Sequence, residues 1–146
     1  MTPKLSASKH SNDQTIRARV LHAIAGNRFP GLHFPGHFLD IKWIDVTGGT
    51  ARATLEDGPH IGNRVGHVQG GILLGLAATT ACAAAPAAMM LSNVSAWYIS
   101  PGRGDKLRIR SRILHTGRTT VVVRTEIKAA GGERVLEAVS HHVARK

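Results

Sequence analysis

The sequence has one cysteine, few aromatic residues and few acids. With Cys82 alone, neither a disulfide framework nor a zinc site built from cysteines can form within one chain, which favours a reducing compartment and predicts a cytoplasmic protein without a metal site. Aromatic residues make up only 4% of the chain, so little material is present for the base-stacking surfaces of nucleic-acid-binding proteins. Residues 1–13 also lack the apolar core of a secretory signal.

Residues 65–102 contain no Asp, Glu, Lys or Arg. This stretch is long enough to span a bilayer. Its middle, however, is alanine, glycine and threonine, Pro86 interrupts it, and its last third has a strand-like pattern. These features indicate a buried helix and no membrane span.

The balance of charge is strongly basic: nineteen Lys and Arg stand against nine Asp and Glu, for a formal net charge of +10. Such a charge favours an anionic partner, which can be nucleic acid, a membrane surface or a phosphorylated small molecule. A basic surface that serves only solubility is the alternative. Charge alone does not choose among them.

Hydrophobic periodicity predicts one enclosed helix between antiparallel strands, in a single α+β domain in which a sheet wraps a helix. An N-terminal helical segment, 1–30, precedes the main part of the domain, 31–146. The predicted elements are a helix Asp13–Gly26, strands Phe38–Val46 and Thr50–Leu55 around the Gly48-Gly49 turn, a helix from Gly71 to about Ala88, and strands from Asn93 onward, Val121–Ile127 and Val135–Val143.

The strand that contains Arg108, Arg110 and Arg112 alternates basic with apolar residues, which predicts one solvated sheet face. The same period of two places His141 and His142 on opposite faces of their strand. They therefore cannot form a metal-binding pair within one chain.

Residues 63–78 resemble the signature of hotdog thioesterases of the phenylacetate-degradation type. That signature has Asn, two residues, Gly, two residues and His-Gly-Gly before the central helix, which carries an Asp or Glu. Here the segment begins at Asn63, contains Gly66 and continues through Gln69-Gly70-Gly71. The resemblance extends through Tyr98–Asp105 and the turn His115–Arg118, and it covers roughly residues 37–144.

The resemblance implies a hotdog fold, in which an antiparallel sheet wraps a long central helix. It implies an acyl-CoA substrate, with coenzyme A as part of that substrate and no separate cofactor, and a homodimer or homotetramer with shared sites. Asn63 and the Gly70 N–H would bind and polarise the thioester carbonyl. The N–H groups at the start of a helix are suited to this task because they lack helical acceptors, although Gly70 and Gly71 can also serve only a tight turn.

Two positions depart from the family pattern. Gln69 replaces the histidine; its amide can donate a hydrogen bond but cannot move a proton at neutral pH. Ala78 replaces the Asp or Glu that acts as nucleophile or general base, and residues 58–104 contain no acid at all. The remaining candidates for a catalytic role are His67, with His60 less favoured, and Thr79. The Thr79 hydroxyl can equally donate a hydrogen bond to the backbone of its own helix.

Basic residues near two turns would bind the phosphates of coenzyme A, as the resemblance implies: Arg103, Lys106 and Arg118. An acyl pocket would draw on apolar residues that can equally be ordinary core: Met89, Met90, Leu91 and Trp97.

Three functions follow from these observations. The leading hypothesis is an acyl-CoA thioesterase, a hydrolase with an atypical active site in which an unusual group assists the attacking water. The second is a noncatalytic protein that binds acyl-CoA or lipid and has lost the acid at Ala78. The third, weaker hypothesis is a basic nucleic-acid-binding domain, which is motivated by charge alone and is not favoured because no nucleic-acid motif accompanies it.

Overall fold

The computed structural model describes residues 5–26, 34–102 and 106–146, with side chains described from residue 14 onward. Contacts divide these residues into two compact units. The first unit comprises residues 5–26, 34–41 and 58–60, and the second comprises residues 42–57, 61–102 and 106–146.

The first unit contains two helices, α1 (Leu5–Gly26) and α2 (Phe34–Leu39). Helix α1 begins eight positions before the predicted Asp13. The prediction of a strand from Phe38 is wrong, because Phe38 lies in α2 and stacks on Phe34 one helical turn earlier, with ring centroids 5.8 Å apart. Asp40, with φ +55°, follows the helix, and the strand begins only at Lys42.

The second unit is a six-stranded antiparallel sheet with one long helix on it. The strand order is β1-β2-β4-β5-β6-β3, so β1 and β3 are the two edges. This arrangement confirms the predicted α+β hotdog architecture. The elements are β1 (Lys42–Thr47), β2 (Thr50–Glu56), α3 (Gly70–Ala84), β3 (Met89–Tyr98), β4 (Lys106–Thr116), β5 (Thr120–Ala129) and β6 (Arg134–Ala144).

Helix α3 buries one face against the sheet and ends earlier than predicted. It stops at Ala84 rather than at about Ala88, because Ala85 precedes Pro86 and takes an extended conformation (φ −75°, ψ 152°). Strand β3 consequently begins at Met89 and not at Asn93. The buried residues of α3 are Leu73, Leu76, Ala77, Thr80, Ala81 and Ala84.

The sheet follows the predicted alternation. In β4, Leu107, Ile109 and Ser111 are buried toward α3 and the arginines between them are exposed. The Gly48-Gly49 hairpin turn is confirmed: both glycines have positive φ (27° and 85°), which a side chain disfavours. Within the described residues no helix is both long and apolar enough to cross a membrane.

Candidate active site

The loop before α3 is organised by Asn63. Its Oδ1 accepts hydrogen bonds from the backbone N–H groups of Val65 and His67, each at 3.0 Å. The Asn63 N–H donates in turn to the His67 carbonyl at 2.7 Å. These bonds fold residues 63–67 into a compact turn, so the side-chain carbonyl of Asn63 is occupied and its amide group is the part left for a ligand.

Gln69 is the N-cap of α3. Its backbone is extended (φ −65°, ψ 129°), and its Oε1 accepts from the Ile72 N–H at 3.0 Å. The Gln69 backbone N–H donates to the Ile61 carbonyl at 2.8 Å. This hydrogen bond anchors the cap to the buried residue at the start of the loop. Gln69 therefore stabilises the start of the helix through its oxygen, while its Nε2 remains a donor.

Gly70 and Gly71 begin α3, and within the described part of the chain neither N–H has an acceptor. The two groups lie at the positive end of the helix dipole. A Cβ on Gly71 would stand 2.9 Å from Gln69 Oε1, and one on Gly70 would stand 3.3 Å from Tyr98 Cε1. Glycine at both positions thus keeps the N–H groups approachable and leaves the cap undisturbed.

Tyr98 begins the segment Tyr98–Asp105 of the family resemblance, and its sequence pattern does not mark it as a site residue. Its hydroxyl donates to the Gly70 carbonyl at 3.0 Å, across 28 positions of sequence. The end of β3 is thereby fixed to the start of α3. No local pattern marks this bond; only the pairing of β3 beside the helix brings the two residues together.

The face of α3 that points away from the sheet carries small residues. Gly71, Gly75 and Cys82 are exposed, and Ala78 and Thr79 are half-buried. Ala78 thus presents a methyl group on an accessible face, at the position where the family resemblance implies a carboxylate. Partial burial raises the pKa of the Cys82 thiol, which disfavours a thiolate nucleophile.

The threonines of α3 differ in their environment. Thr80 is buried, and its Oγ1 donates to the Leu76 carbonyl at 2.8 Å, within its own helix. The half-buried Thr79 faces the accessible side. Of the two, Thr79 is the one with a hydroxyl available to a ligand.

The two loop histidines lie in different units. His60 belongs to the first unit, where its ring meets Phe38 edge-on with centroids 5.9 Å apart. His67 belongs to the second unit, is half-buried and lies two residues before Gln69. Of these two histidines, His67 is the one that shares a unit with α3.

The three residues predicted to bind CoA differ in how far the structure describes them and in their surroundings. Arg103 lies outside the described residues. Lys106 Nζ is 3.9 Å from Glu56 Oε1, and both side chains are partly exposed. Arg118 is exposed in the turn between β4 and β5. Among the described residues, no group of three or more His, Cys, Asp or Glu side chains is placed to hold a metal ion.

The apolar residues proposed for an acyl pocket lie in two different environments, the core and the exposed surface. Met89 packs against the core formed by Ala51, Ala81 and their neighbours. Met90, Leu91 and Trp97 are exposed along β3. These three therefore line the open edge of the sheet rather than an enclosed cavity within one chain.

The model of the acyl-CoA thioesterase N-terminal domain matches residues 59–143, which include the loop, α3 and the last four strands. The chain belongs to the acyl-CoA thioesterase family. No curated protein matches the sequence of this family member.

Solved structures share the hotdog fold of this thioesterase-family chain. A Bacillus halodurans protein crystallised with CoA has a TM-score of 0.76 at 20% identity, covering 92% of this chain and 94% of its own. The Escherichia coli PaaI protein of the phenylacetic acid degradation operon has a TM-score of 0.73 at 22% identity, with 88% and 96% covered. A hypothetical thioesterase of Streptococcus pneumoniae, crystallised with coenzyme A, has a TM-score of 0.67 at 21% identity, with 72% and 85% covered.

Proposed function

We propose that this chain binds acyl-CoA thioesters at the start of α3 and hydrolyses them slowly. The observation that carries the proposal is the pair of N–H groups of Gly70 and Gly71, which have no acceptor among the described residues and are held by the Gln69 cap and by the Tyr98 hydroxyl. Donors of this kind polarise a thioester carbonyl and stabilise the oxyanion that forms when water attacks. Structures of similar proteins with bound CoA support the choice of ligand.

The Gln69 Nε2 and the amide of Asn63 are the further polar groups for the thioester. Both side chains are exposed, and each already uses its oxygen within the protein. The side-chain NH2 group of each residue therefore remains to donate a hydrogen bond to the carbonyl oxygen of the thioester. The two residues thus bind and orient the thioester but cannot deprotonate water.

The missing acid sets the expected rate. Ala78 cannot act as base or nucleophile, and general acid-base catalysis contributes typically 10²–10⁴-fold to a reaction rate. His67 is the titratable group of the second unit that lies nearest in sequence to the N–H pair. We therefore propose His67 as the group that assists water, with Thr79 as a hydrogen-bonding partner of the bound water or thioester.

The alternative is a protein that binds acyl-CoA without turnover. The absence of any Asp or Glu between residues 58 and 104 favours it directly. In this alternative the N–H pair serves only to hold the carbonyl. The two functions share the ligand and differ only in the chemical step.

One experiment separates them. Purified protein is tested on short, long and aromatic acyl-CoAs, with binding measured by thermal shift and turnover measured by release of free thiol. Stabilisation with thiol release that falls in His67→Gln supports the enzyme, and stabilisation without release supports the binding protein. Absence of both effects for every acyl-CoA contradicts the proposal.

Ala78→Asp is the matched gain-of-function variant. Its side chain would occupy the accessible face of α3, so the fold is expected to tolerate it. Turnover should rise by at least tenfold if the N–H pair already holds the thioester and only the base is missing. Ala78→Asn, of nearly the same size and without a base, is the control and should not gain activity.

We also propose that two copies of the chain join through β3. This strand is a sheet edge of ten residues, and its exposed surface includes Met90, Leu91 and Trp97. A long, apolar and unpaired edge is a surface that proteins ordinarily cover. Pairing with a second β3 would cover it and would bring two α3 helices side by side.

A further inference from the structure

The face of the sheet opposite α3 carries a row of arginines that the proposed thioesterase chemistry does not use. Arg108, Arg110 and Arg112 project from β4 at alternate positions and are all exposed. Alternate residues of a strand are about 7 Å apart, so the row is about 14 Å long. We call it the arginine row.

The neighbouring strands place further basic residues directly beside this row. In the strand register, Arg110 pairs with Arg52 of β2, Arg112 pairs with Arg124 of β5, and Arg108 pairs with Lys128 of β5. Like charges at directly opposed positions of a sheet are destabilising. Three such pairs lie side by side on one face, and among the described register partners of the row the single carboxylate is Glu126 of β5, which stands opposite Arg110.

The carboxylates on this face are already engaged elsewhere. Glu137 lies 2.7 Å from Arg124 and 3.3 Å from Arg134, while Glu126 lies 2.9 Å from Lys128 and 3.5 Å from Arg134. The hydrogen bond from Lys128, with the nearby positive charges, lowers the pKa of Glu126, so this carboxylate stays ionised and held.

The carboxylate opposite the arginine row, Glu126, is therefore shared with Lys128 and Arg134. Arg52 has a weaker partner in Asp45 at 3.5 Å. Across the described residues, the three arginines of the row make no ion pair with any carboxylate. Their guanidinium groups are free to bind an external anion.

The surface over the row is concave. One depression of about 340 Å³ is lined by Arg110, Arg112, Arg124 and Glu126. A second, of about 260 Å³, adjoins it, shares Arg110 and Glu126, and is also lined by Arg52, Arg108 and Lys128. The second also has Ile44, Ala53 and Ile109 in its lining, and no aromatic ring is among the residues that line either depression. We call the two depressions together the groove.

We propose that this groove binds a phosphorylated small molecule that carries at least two phosphate groups. Guanidinium groups match phosphate oxygens with paired hydrogen bonds, and successive arginines fit successive phosphates. The volume of the larger depression lies within the range of small-molecule sites. The lack of an aromatic ring disfavours single-stranded nucleic acid, which relies on base stacking. The site lies on the opposite face of the sheet from Gly70 and is independent of the proposed thioester site.

The test is calorimetric titration of the full chain with inorganic tripolyphosphate at low, matched ionic strength. The wild-type protein is expected to bind one tripolyphosphate per chain. Arg110→Gln/Arg112→Gln should bind at least tenfold more weakly. Arg145→Gln/Lys146→Gln, which removes the same charge from exposed positions outside the groove, should bind as the wild type does.

A lysine variant and saturating coenzyme A complete the design. Arg110→Lys/Arg112→Lys keeps the charge and should retain intermediate affinity, and its thermal unfolding shows whether the face still folds. Coenzyme A at saturation should leave tripolyphosphate binding unchanged, whether or not the chain hydrolyses acyl-CoA.

Four results would overturn the proposal. The first is equal affinity of the wild type and the Arg110→Gln/Arg112→Gln variant for tripolyphosphate, or no binding by either protein. The second is loss of binding in Arg118→Gln, which would assign the anion to the surface proposed for coenzyme A. The third is tighter binding of a twelve-nucleotide single strand through the same arginines. The fourth is a changed oligomeric mass of the Arg110→Gln/Arg112→Gln variant, which would make the groove an interface between copies.

Discussion

The Tyr98 hydroxyl and the Gly70 carbonyl are 3.0 Å apart, and this hydrogen bond joins the last residue of β3 to the first residue of α3. The same ring limits what position 70 can carry, since a Cβ there would stand 3.3 Å from Tyr98 Cε1. The position of the N–H pair therefore depends on a residue 28 positions away in sequence.

Gly70→Ala should lower the free energy of unfolding by about 1–2 kcal/mol, because the added methyl pushes against a ring that is held by its own hydrogen bond. Tyr98→Ala in the same chain should relieve the contact, so that the two substitutions together cost less than their sum. Denaturant unfolding of the four proteins in the cycle measures this coupling. Strict additivity would mean that the ring moves aside without cost.

Gln69→Ser separates the two roles of Gln69, which caps α3 through its side-chain oxygen and offers its Nε2 as a donor to the thioester. A serine hydroxyl can still accept from the first turn of α3, so the free energy of unfolding should stay close to that of the wild type, whereas Gln69→Ala should lose about 0.5–1 kcal/mol. Both variants lack the Nε2 donor and should bind acyl-CoA more weakly. If Gln69→Ser keeps full affinity, the amide donor does not touch the thioester.

The start of this site was predictable from sequence because its signals are local. Gly70 and Gly71 before an apolar run predict a helix start, and the helix begins there. The helix end was missed because alanine composition favours helix on both sides of Pro86. Only the restriction that proline places on Ala85 ends it. The Phe38 region was misread because its apolar spacing fits both a strand and the Phe34–Phe38 pair of a short helix.

The electrostatics of the outer face could be predicted only in part. Alternation along one strand correctly predicted a solvated face for Arg108, Arg110 and Arg112. It could not predict that Glu137 pairs with Arg124 or that Glu126 lies near Arg134, because those two contacts depend on the register between β5 and β6. The local sequence predicts which side chains lie on the exposed face of a strand, whereas strand pairing determines which residues of other strands lie beside them.

His142 should make the fold sensitive to acid. The residue is completely buried, its Nε2 is 3.0 Å from Ser140 Oγ, and its Nδ1 has no partner within the described structure. Burial, and then the charge of His141, lowers the pKa of His142 below the ordinary value of 6.5. The unfolded chain thus takes up this proton first as the pH falls.

The contribution of His142 to stability is therefore complete above about pH 6.5 and is lost as the pH falls from there toward the lowered pKa of the folded state. Denaturant unfolding between about pH 7 and pH 5 should show this slope in the wild type and a smaller slope in His142→Gln. His141→Gln, at the exposed neighbouring position, is the control and should keep most of the slope. An unchanged slope in His142→Gln would assign the acid sensitivity to other groups.

Leu91→Glu should lower the oligomeric mass. Leu91 is exposed on the edge strand β3, where a charge would oppose pairing with a second copy. Leu114→Glu places the same charge at an exposed leucine of the interior strand β4 and should leave the mass unchanged. Light scattering coupled to size exclusion measures both. A monomeric wild type, or a dimeric Leu91→Glu protein, would contradict pairing through β3.

Gly75→Ala tests whether the outer face of α3 is open or covered. Within one chain, nothing lies within 4 Å of a Cβ at this position, and the residue is exposed in the middle of the helix. In an isolated chain, alanine should therefore raise the free energy of unfolding by about 0.5–1 kcal/mol, because it restricts the unfolded backbone and favours the helix. Unfolding at low protein concentration measures this effect in the Leu91→Glu background, where the chains are expected to be separate. In the wild-type background, a second α3 lying against the small-residue face would meet the added methyl, and the gain should shrink or reverse as protein concentration rises. An equal gain at all concentrations would place the two helices apart and leave β3 pairing as the whole of the interface.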